Sequence, residues 1–253
     1  MQKVTTPKKG SSAMRSKEML RKSIGVLRLW MALGIALCTS SSFSQSLTWL
    51  GTLGGPLSSA YGVSADGSVV VGWAANAQGQ QRAFRWQNGV MQDLGTLGGP
   101  QSWAFGVSAD GSVVVGGAFN AQGLYHAFRW QNGVMQDLGT IGGRQSRAHG
   151  VSADGSVVVG GAHDAQSSRA FRWQNGVMED LNVTYAALLP PGSSLERAYA
   201  ISPDGRYIVG AGFNAVSWRS EGFLLDTVPE PASATALGAG VLSLLALRGR
   251  RKR

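Results

Sequence analysis

The sequence predicts an all-β fold, a four-bladed β-propeller-like repeat domain, from three observations. Three motifs return with a period of 44 residues, and one residue is lost in the third copy. Each unit divides into four short strands separated by turn sequences, which is the pattern of a propeller blade. The last unit lacks a fourth strand, and the first unit is preceded by a segment that matches one.

The repeated motifs are LGTLGG, GVSADGSVVVG and AFRWQNGVMQDL. They begin at residues 50, 62 and 83 in the first copy and at 94, 106 and 127 in the second. The third copy begins its motifs at 138, 150 and 170, and a divergent fourth copy starting at residue 200 follows an insertion at 182–197. Self-similarity of this kind indicates one supersecondary unit copied along the chain.

Turn sequences divide each unit into strands. Asp66-Gly67 and Asn88-Gly89 each predict a tight hairpin, because these dipeptides tolerate the positive φ angles that such turns need. Residues 76–80 predict a looser turn, and the body has almost no pattern that favours a helix. The predicted strands of the first unit are residues 61–64, 68–74, 82–87 and 90–94.

The two ends of the repeat region predict how it closes. Leu47 to Pro56 matches the fourth strand and linker at Met91 to Pro100, and the copy that begins at Ala200 stops after its third strand, which Leu47 to Leu53 would complete. Since a closed ring removes exposed sheet edges, we expect this N-terminal strand to complete the last blade. The alternatives are an open or stacked β-solenoid, or assembly with another chain.

Residues that all copies share have structural roles in this scheme. A two-residue turn at Asn88-Gly89 pairs Trp86 with Met91, a sulfur–aromatic contact. Phe84 lies on the same face as Trp86 and is expected to pack between blades. In the third copy the same register places Arg172 opposite Glu179.

The net charge of +9 belongs to the two ends of the chain. Eight of the 23 basic residues precede residue 29, and five lie at 248–253. Residues 45–227 contain ten arginines, no lysine and twelve acidic residues, which leaves a charge of −2. The composition of the body therefore gives no reason to expect a nucleic-acid partner.

The N-terminal segment is predicted to be a signal peptide covering residues 1–44. Basic residues precede the apolar run 29–38, and Ser42-Phe43-Ser44 offers small residues at the positions that a signal peptidase reads, which places cleavage before Gln45. The polar stretch before the run is long, so Met14 or Met19 is an alternative start. Cys38 is the only cysteine, so a mature body would have neither disulfides nor a thiolate site.

The C-terminal segment, residues 228–253, has three parts. Pro229-Glu230-Pro231 comes first, an apolar run at 232–247 follows, and a basic cluster ends the chain. The run is long enough to span a membrane with some adjustment, and the arginines would keep the end cytoplasmic. This order resembles the PEP-CTERM sorting signal of Gram-negative bacteria, which implies export across the inner membrane and processing by a membrane enzyme of the exosortase type. A plain C-terminal anchor is the alternative.

The repeat units at 47–227 resemble the HAF family of extracellular bacterial repeats. The triplet that names the family is present at His126-Ala127-Phe128, whereas Arg82, Arg169 and Glu221 replace the histidine in the other copies. The resemblance implies an extracellular protein that often carries the same sorting tail, and it implies no activity.

Residues with reactive side chains do not form a recognisable catalytic or metal-binding pattern. The repeated aspartate of each copy, as at Asp66, lies in a Ser-x-Asp-Gly turn where its carboxylate is expected to bind local backbone amides. The three histidines, His126, His149 and His163, occupy different places in the repeat. We therefore expect no catalytic residue, no metal site and no cofactor.

Differences between the copies point to a candidate binding face. They concentrate before the first strand and in the second turn, which lie at the same end of an up-and-down blade. Aromatic and arginine side chains suit contact with sugars or proteins. The candidate ligand-binding residues are Trp73, Trp103, Phe119, Tyr125, Arg147 and His163. The alternative is that these loops merely vary.

The sequence thus predicts a secreted, surface-sorted structural or ligand-binding protein of the cell surface or extracellular matrix, not an enzyme. Its expected partners are an exosortase-type enzyme and either an exopolysaccharide or surface proteins. The alternative function is an extracellular glycan hydrolase or lyase on the same scaffold, since a fold does not fix a function.

Overall fold

A computed structural model of the protein describes residues 45–164 and 166–228. Contacts divide the chain into two compact units, residues 1–48 and residues 49–253. The described residues of the first unit, 45–48, have no helix or strand. The predicted signal peptide at 1–44, the motif Pro229-Glu230-Pro231 and the apolar run at 232–247 lie outside the described residues.

The second unit is an all-β array of four antiparallel sheets, each built from strands consecutive in the chain. The first sheet contains β1 Gly54–Val63, β2 Val69–Asn76, β3 Gln81–Gln87 and β4 Val90–Asp93. The second contains β5 Gly98–Val107, β6 Val113–Asn120, β7 Tyr125–Gln131 and β8 Val134–Asp137. The third contains β9 Ser146–Val151, β10 Val157–His163, β11 Ser168–Gln174 and β12 Val177–Asp180. The fourth contains β13 Ser194–Ile201, β14 Tyr207–Asn214 and β15 Arg219–Asp226.

The predicted turns and pairings are confirmed. Asn88 has a φ of 51° and Gly89 a φ of 80°, which are the left-handed values that a two-residue hairpin requires. Trp86 pairs with Met91 across this turn. In the third copy Arg172 pairs with Glu179, and its guanidinium donates to the carboxylate at 2.8 Å.

The first strand of each unit is longer than predicted. In the first two sheets it begins at Gly54 and Gly98 and extends over ten residues in each case. The sequence Gly-Gly-Pro predicted a linker there, because glycine and proline weaken strands. The strand accommodates them through breaks in register, between Gly54 and Ser58 and between Ala60 and Gly62 in β1.

The insertion after β12 contains a short helix, although almost no pattern in the body favours one. Helix α1, Leu181–Thr184, is followed by a 3₁₀ turn at Ala186–Leu188. Asp180 caps the helix by accepting from the backbone N–H of Asn182 at 2.8 Å. Because Leu181 is completely buried, this segment belongs to the core between the third and fourth sheets.

Successive sheets pack face to face through apolar clusters. Val69 and Val71 of β2 lie in one cluster with Phe128 and Trp130 of β7. Equivalent clusters join the second sheet to the third and the third to the fourth. The predicted packing of the repeated phenylalanine between blades is thereby confirmed for Phe128.

A buried serine also ties neighbouring sheets together. Ser102 of β5 accepts from the backbone N–H of Ala83 at 2.9 Å and donates to the carbonyl of Gly95 at 2.6 Å. Ser146 of β9 makes the same kind of contacts with Ala127 and Gly139. Each hydroxyl therefore satisfies backbone groups of the preceding sheet where water is excluded.

The predicted closure by an N-terminal strand is wrong. Residues 45–52 contain no strand, and the fourth sheet has three strands. Leu47 and Trp49 are 81% and 87% exposed. In the other sheets the fourth strand follows a two-residue turn, whereas a distant segment would have to be ordered at a larger entropic cost.

The fourth sheet consequently leaves one face uncovered. Val71, Val115 and Val159 are completely buried by the sheet that follows each of them. Val209, at the same place in β14, is 41% exposed, and Leu224 beside it is 69% exposed. The described residues thus form an open array of propeller-like blades.

Candidate ligand-binding face

The positions that vary between copies lie beside one another at one end of the sheets. Trp73 of β2 pairs with Ser59 of β1, Trp103 of β5 pairs with Gly117 of β6, and Arg147 of β9 pairs with Gly161 of β10. The variable first strand and variable second turn therefore share one face, as the sequence predicts.

An aromatic cluster occupies this face at the second sheet. The ring centroids of Trp103 and Tyr125 are 5.6 Å apart, and those of Phe119 and Tyr125 are 5.2 Å apart. The indole N–H of Trp103 donates to the side-chain oxygen of Gln81 in the first sheet at 2.8 Å. These three rings thus pack on one another at this end of the second sheet, and Trp103 also contacts the first sheet.

Trp73 lies apart from this cluster. Its indole N–H donates to the hydroxyl of Tyr61 at 3.1 Å. Tyr61 belongs to a second aromatic feature, a row of four rings. The first strand of each of the four sheets contributes one ring to this row. Neighbouring centroids in the row are 5.7 to 5.9 Å apart. The row consists of Tyr61, Phe105, His149 and Tyr199.

A cleft lies beside the aromatic cluster and is lined by residues of the second, third and fourth sheets. The cleft has a volume of about 380 Å³, which is within the range of small-ligand sites. Its lining includes Tyr125, Arg147, His149, Gly161, His163, Ser168, Arg197 and Tyr199.

Small side chains in the third copy leave room for this cleft. Ser168 stands where the second copy has Tyr125 and the first copy has Gln81. Gly161 stands where the first copy has Trp73, and the turn between β10 and β11 is one residue shorter than its equivalents. The second copy also has glycine at the position of Gly161, namely Gly117, so the difference from the second copy lies in Ser168 and His163. These two residues replace Tyr125 and Phe119 and line the cleft.

Arg147 is held at the edge of the cleft by two aromatic rings. Its guanidinium carbon lies 5.2 Å from the ring centroid of Phe105 and 5.1 Å from that of Tyr125. Both distances are within the range of cation–π attraction. A guanidinium presents its N–H donors in a planar fork, which suits a planar anion at this place.

The charges of the cleft are positive. Arg147 and Arg197 line it, and its lining contains no Asp or Glu among the described residues. Burial lowers the pKa of His149 to about 4, and the two arginines contribute to the decrease. At neutral pH the imidazole is therefore uncharged, and it can both donate and accept a hydrogen bond.

The hydroxyl of Tyr125 is buried next to Arg147 without a hydrogen bond of good geometry. Burial raises the pKa of this phenol, so it stays protonated and can donate. An unpaired buried hydroxyl is costly, and a ligand atom that accepts from it would remove that cost.

The predicted site residues separate into two groups. Tyr125, Arg147 and His163 line the cleft, whereas Trp73, Trp103 and Phe119 do not. His149, Arg197 and Tyr199 line it and were missed as site residues. His149 and Tyr199 share a repeat position with Tyr61 and Phe105, which was the available signal, and Arg197 follows the insertion.

The turn aspartates have the structural role that the sequence predicts. Asp154 accepts from the hydroxyl of Ser152 and from the backbone N–H of Ser156. These bonds lower its pKa to about 2, and Asp66 is lowered to about 2 for the same reasons. In the part of the chain that the structure describes, no group of three or more His, Cys, Asp or Glu residues is placed to hold a metal ion.

No protein-family model matches the sequence, and no curated protein matches it. Solved structures that match include TolB from Agrobacterium tumefaciens, at 16% identity and a TM-score of 0.49, over 65% of this chain and 60% of that one. TolB from Acinetobacter baumannii matches at 14% identity and a TM-score of 0.47, over 67% and 41% of the two chains. The β-propeller domain of the Trilobed protease from Pyrococcus furiosus matches at 12% identity and a TM-score of 0.41, over 69% and 56%. The chain thus spans less than two thirds of each of these proteins.

No helix among the described residues is long and apolar enough to cross a membrane.

Proposed function

We propose that the protein is secreted, sorted to the cell surface or extracellular matrix, and acts there as a ligand-binding scaffold. The cleft lined by residues of the second, third and fourth sheets is the ligand site of this proposal. The observation that carries it is the contrast between the second and third copies of the repeat. In the second copy the rings of Trp103, Phe119 and Tyr125 pack on one another. In the third copy the equivalent residues are Arg147, His163 and Ser168, and all three line the cleft.

The contrast supports a function because the copies are otherwise nearly identical. The turns, the buried valines and the stretch that begins at Ala83 are repeated with few changes, and they maintain the array. The residues that open the cleft are changes on this constant background. Loops on a rigid scaffold are the usual location of binding residues.

Secretion and sorting rest on the sequence. The signal peptide at 1–44 and the sorting tail at 228–253 support export and processing by an exosortase-type enzyme. The partner at the surface is an exopolysaccharide or a surface protein. Glycoside hydrolysis generally needs two carboxyl groups flanking the scissile bond, and the described lining of the cleft has none. This supports binding over hydrolysis.

Filling the cleft tests the proposal. Ser168→Tyr gives the third copy the residue of the second copy, where Tyr125 is accommodated over Gly117. We expect the full chain, purified in mild detergent, to retain a ligand on a glycan array or in a pull-down from extracellular matrix, and Ser168→Tyr to lose it. Gln122→Tyr, in an exposed turn at the same end, is the matched control and should bind as the wild type does. Equal retention by wild type and Ser168→Tyr would exclude the cleft as the site.

A further inference from the structure

We infer that the cleft binds a carboxylate-bearing sugar, such as a uronate residue of an acidic polysaccharide, through Arg147 and Arg197. This inference rests on the proposed function and specifies its ligand. It combines two guanidinium groups that have no carboxylate partner among the described residues, an uncharged imidazole and two tyrosine rings, all of which line one cleft.

The two arginines are unlike the arginines that serve the fold. Arg169 is paired with Asp164 at 2.8 Å, Arg172 with Glu179 at 2.8 Å and Arg206 with Asp226 at 2.6 Å. Arg147 and Arg197 have no carboxylate partner among the described residues, although both line the same cleft. Like charges facing one cleft repel each other, and a bound anion turns that repulsion into attraction.

Arg147 is already oriented for a planar anion. Phe105 and Tyr125 hold its guanidinium carbon 5.2 Å and 5.1 Å from their ring centroids, and a guanidinium presents its N–H donors along one planar edge. This edge matches the two oxygens of a carboxylate, which is why arginine is preferred for bidentate recognition of such groups. Because the rings restrict the side chain beforehand, less entropy is lost when the ligand binds.

Arg197 approaches from the fourth sheet over Gly161. A Cβ atom at position 161 would lie 3.1 Å from Cγ of Arg197, so the missing side chain lets the arginine stem lie flat on β10. The glycine thus opens the cleft and also places the second cation. His149 lines the same cleft as the two arginines and, being uncharged, is free to bond a sugar hydroxyl.

The aromatic lining favours a sugar over a bare anion. Tyr125 of the second sheet and Tyr199 of the fourth sheet both line the cleft, and Tyr199 is 47% exposed. Aromatic faces offer an apolar surface with a polar tip, which suits the C–H face of a pyranose and its hydroxyls. A ligand with both a carboxylate and such a face uses all of these groups at once.

The test compares an acidic and a neutral trisaccharide on the full chain. Trigalacturonate and maltotriose are titrated calorimetrically into the detergent-solubilised protein at about 0.1 M salt. We expect trigalacturonate to bind and maltotriose to bind at least tenfold more weakly. Arg147→Gln and Arg197→Gln should each weaken trigalacturonate binding at least tenfold, and Ser168→Tyr should abolish it.

Arg144→Gln is the matched control, because Arg144 is exposed at the same face and is outside the lining. It removes the same charge and should change the affinity less than twofold. Thermal unfolding of every variant must resemble that of the wild type. This control is needed since both ends of the chain are basic and could attract polyanions.

The outcomes separate this inference from the proposed function. Equal loss in Arg144→Gln and Arg147→Gln would assign binding to net charge and overturn the inference. A second outcome is that maltotriose binds equally well to the wild type, Arg147→Gln and Arg197→Gln, but not to Ser168→Tyr. This outcome would overturn the inference while supporting the proposed function. A third outcome is that neither sugar binds to any form of the protein, while a matrix ligand is still captured by the wild type and lost in Ser168→Tyr. This outcome would also overturn the inference and support the proposed function. Failure of every ligand would overturn both.

Discussion

The backbone N–H of Ala153 donates to the carbonyl oxygen of Pro203 at 2.9 Å, and this bond is the last of a series that crosses the array. Ala65 donates to Ala109, and Ala109 donates to Ala153, each at 3.0 Å. All four residues precede the aspartate of the same turn in successive sheets. Pro203 of the fourth sheet accepts this bond through its carbonyl oxygen. Because proline has no N–H, it cannot donate the next bond of the series.

This series predicts opposite sensitivities at equivalent positions. Ala109→Pro removes a donor and places a pyrrolidine ring against the Ala153 carbonyl, so we expect the free energy of unfolding to fall by about 1–3 kcal/mol. Pro203→Ala removes no hydrogen bond and should cost at most about 1 kcal/mol through the entropy of the unfolded chain. Urea unfolding of both variants measures the difference, and equal losses would contradict the role of the series.

Two adjacent glycines of β10 predict a second contrast. A Cβ atom at Gly160 would overlap the carbonyl oxygen of Arg147 and lie 2.7 Å from the ring of Phe171. At Gly161 its nearest neighbour would be the flexible stem of Arg197. We expect Gly160→Ala to lower the free energy of unfolding by about 1–3 kcal/mol and Gly161→Ala by less than about 1 kcal/mol. Similar values in chemical denaturation would mean that β9 and β10 separate to accept a side chain.

Local signals made most of the strand architecture predictable from the sequence. The Asn88-Gly89 turn, the Trp86–Met91 pair and the Arg172–Glu179 pair depend on residues within a few positions of one another. The turn type and the alternation of the strand fix such contacts before any tertiary packing is known.

Features that depend on distant parts of the chain were not predictable in the same way. The pairing of Leu47 to Leu53 with the last sheet followed from a general advantage of closed rings, and the structure does not form it. The cleft depends on what Gly161 and Ser168 fail to fill, and on Arg197, which is brought to it by the fourth sheet. A comparison of the copies shows that these positions vary, but it does not show that they are neighbours in space.

Trp218 has a φ of 54°, a left-handed value that costs a residue with a Cβ atom about 1–2 kcal/mol. It is 80% exposed, and its ring contacts Phe213 with centroids 5.8 Å apart. Trp218→Gly and Trp218→Ala both lose this contact. The difference between their free energies of unfolding therefore measures the backbone cost of the positive φ. We expect the glycine variant to be more stable than the alanine variant by about 1 kcal/mol in urea unfolding. An alanine variant of equal stability would show that the turn relaxes to a negative φ.

The lowered pKa of His149 predicts a loss of stability in mild acid. The folded state holds the imidazole neutral down to about pH 4, whereas the unfolded chain takes up a proton near the ordinary value of 6.5. The unfolded state thus binds more protons between these values, so the free energy of unfolding decreases as the pH falls from about 6.5 to 4. His149→Phe, which introduces the residue of the second copy, should flatten this part of the profile measured by urea unfolding.

The turn carboxylates titrate below the pH range in which His149 takes up a proton. Asp66 and Asp154 have pKa values lowered to about 2, so the stability they provide is lost only as the pH falls from about 3.8 to 2. Arg147→Gln provides a further control, because removing one cation lessens the lowering of the His149 pKa and narrows the window from its acidic side. An unchanged decrease between pH 6.5 and 4 in His149→Phe would show that another group titrates there. An unchanged decrease in Arg147→Gln alone would leave burial and Arg197 as the causes.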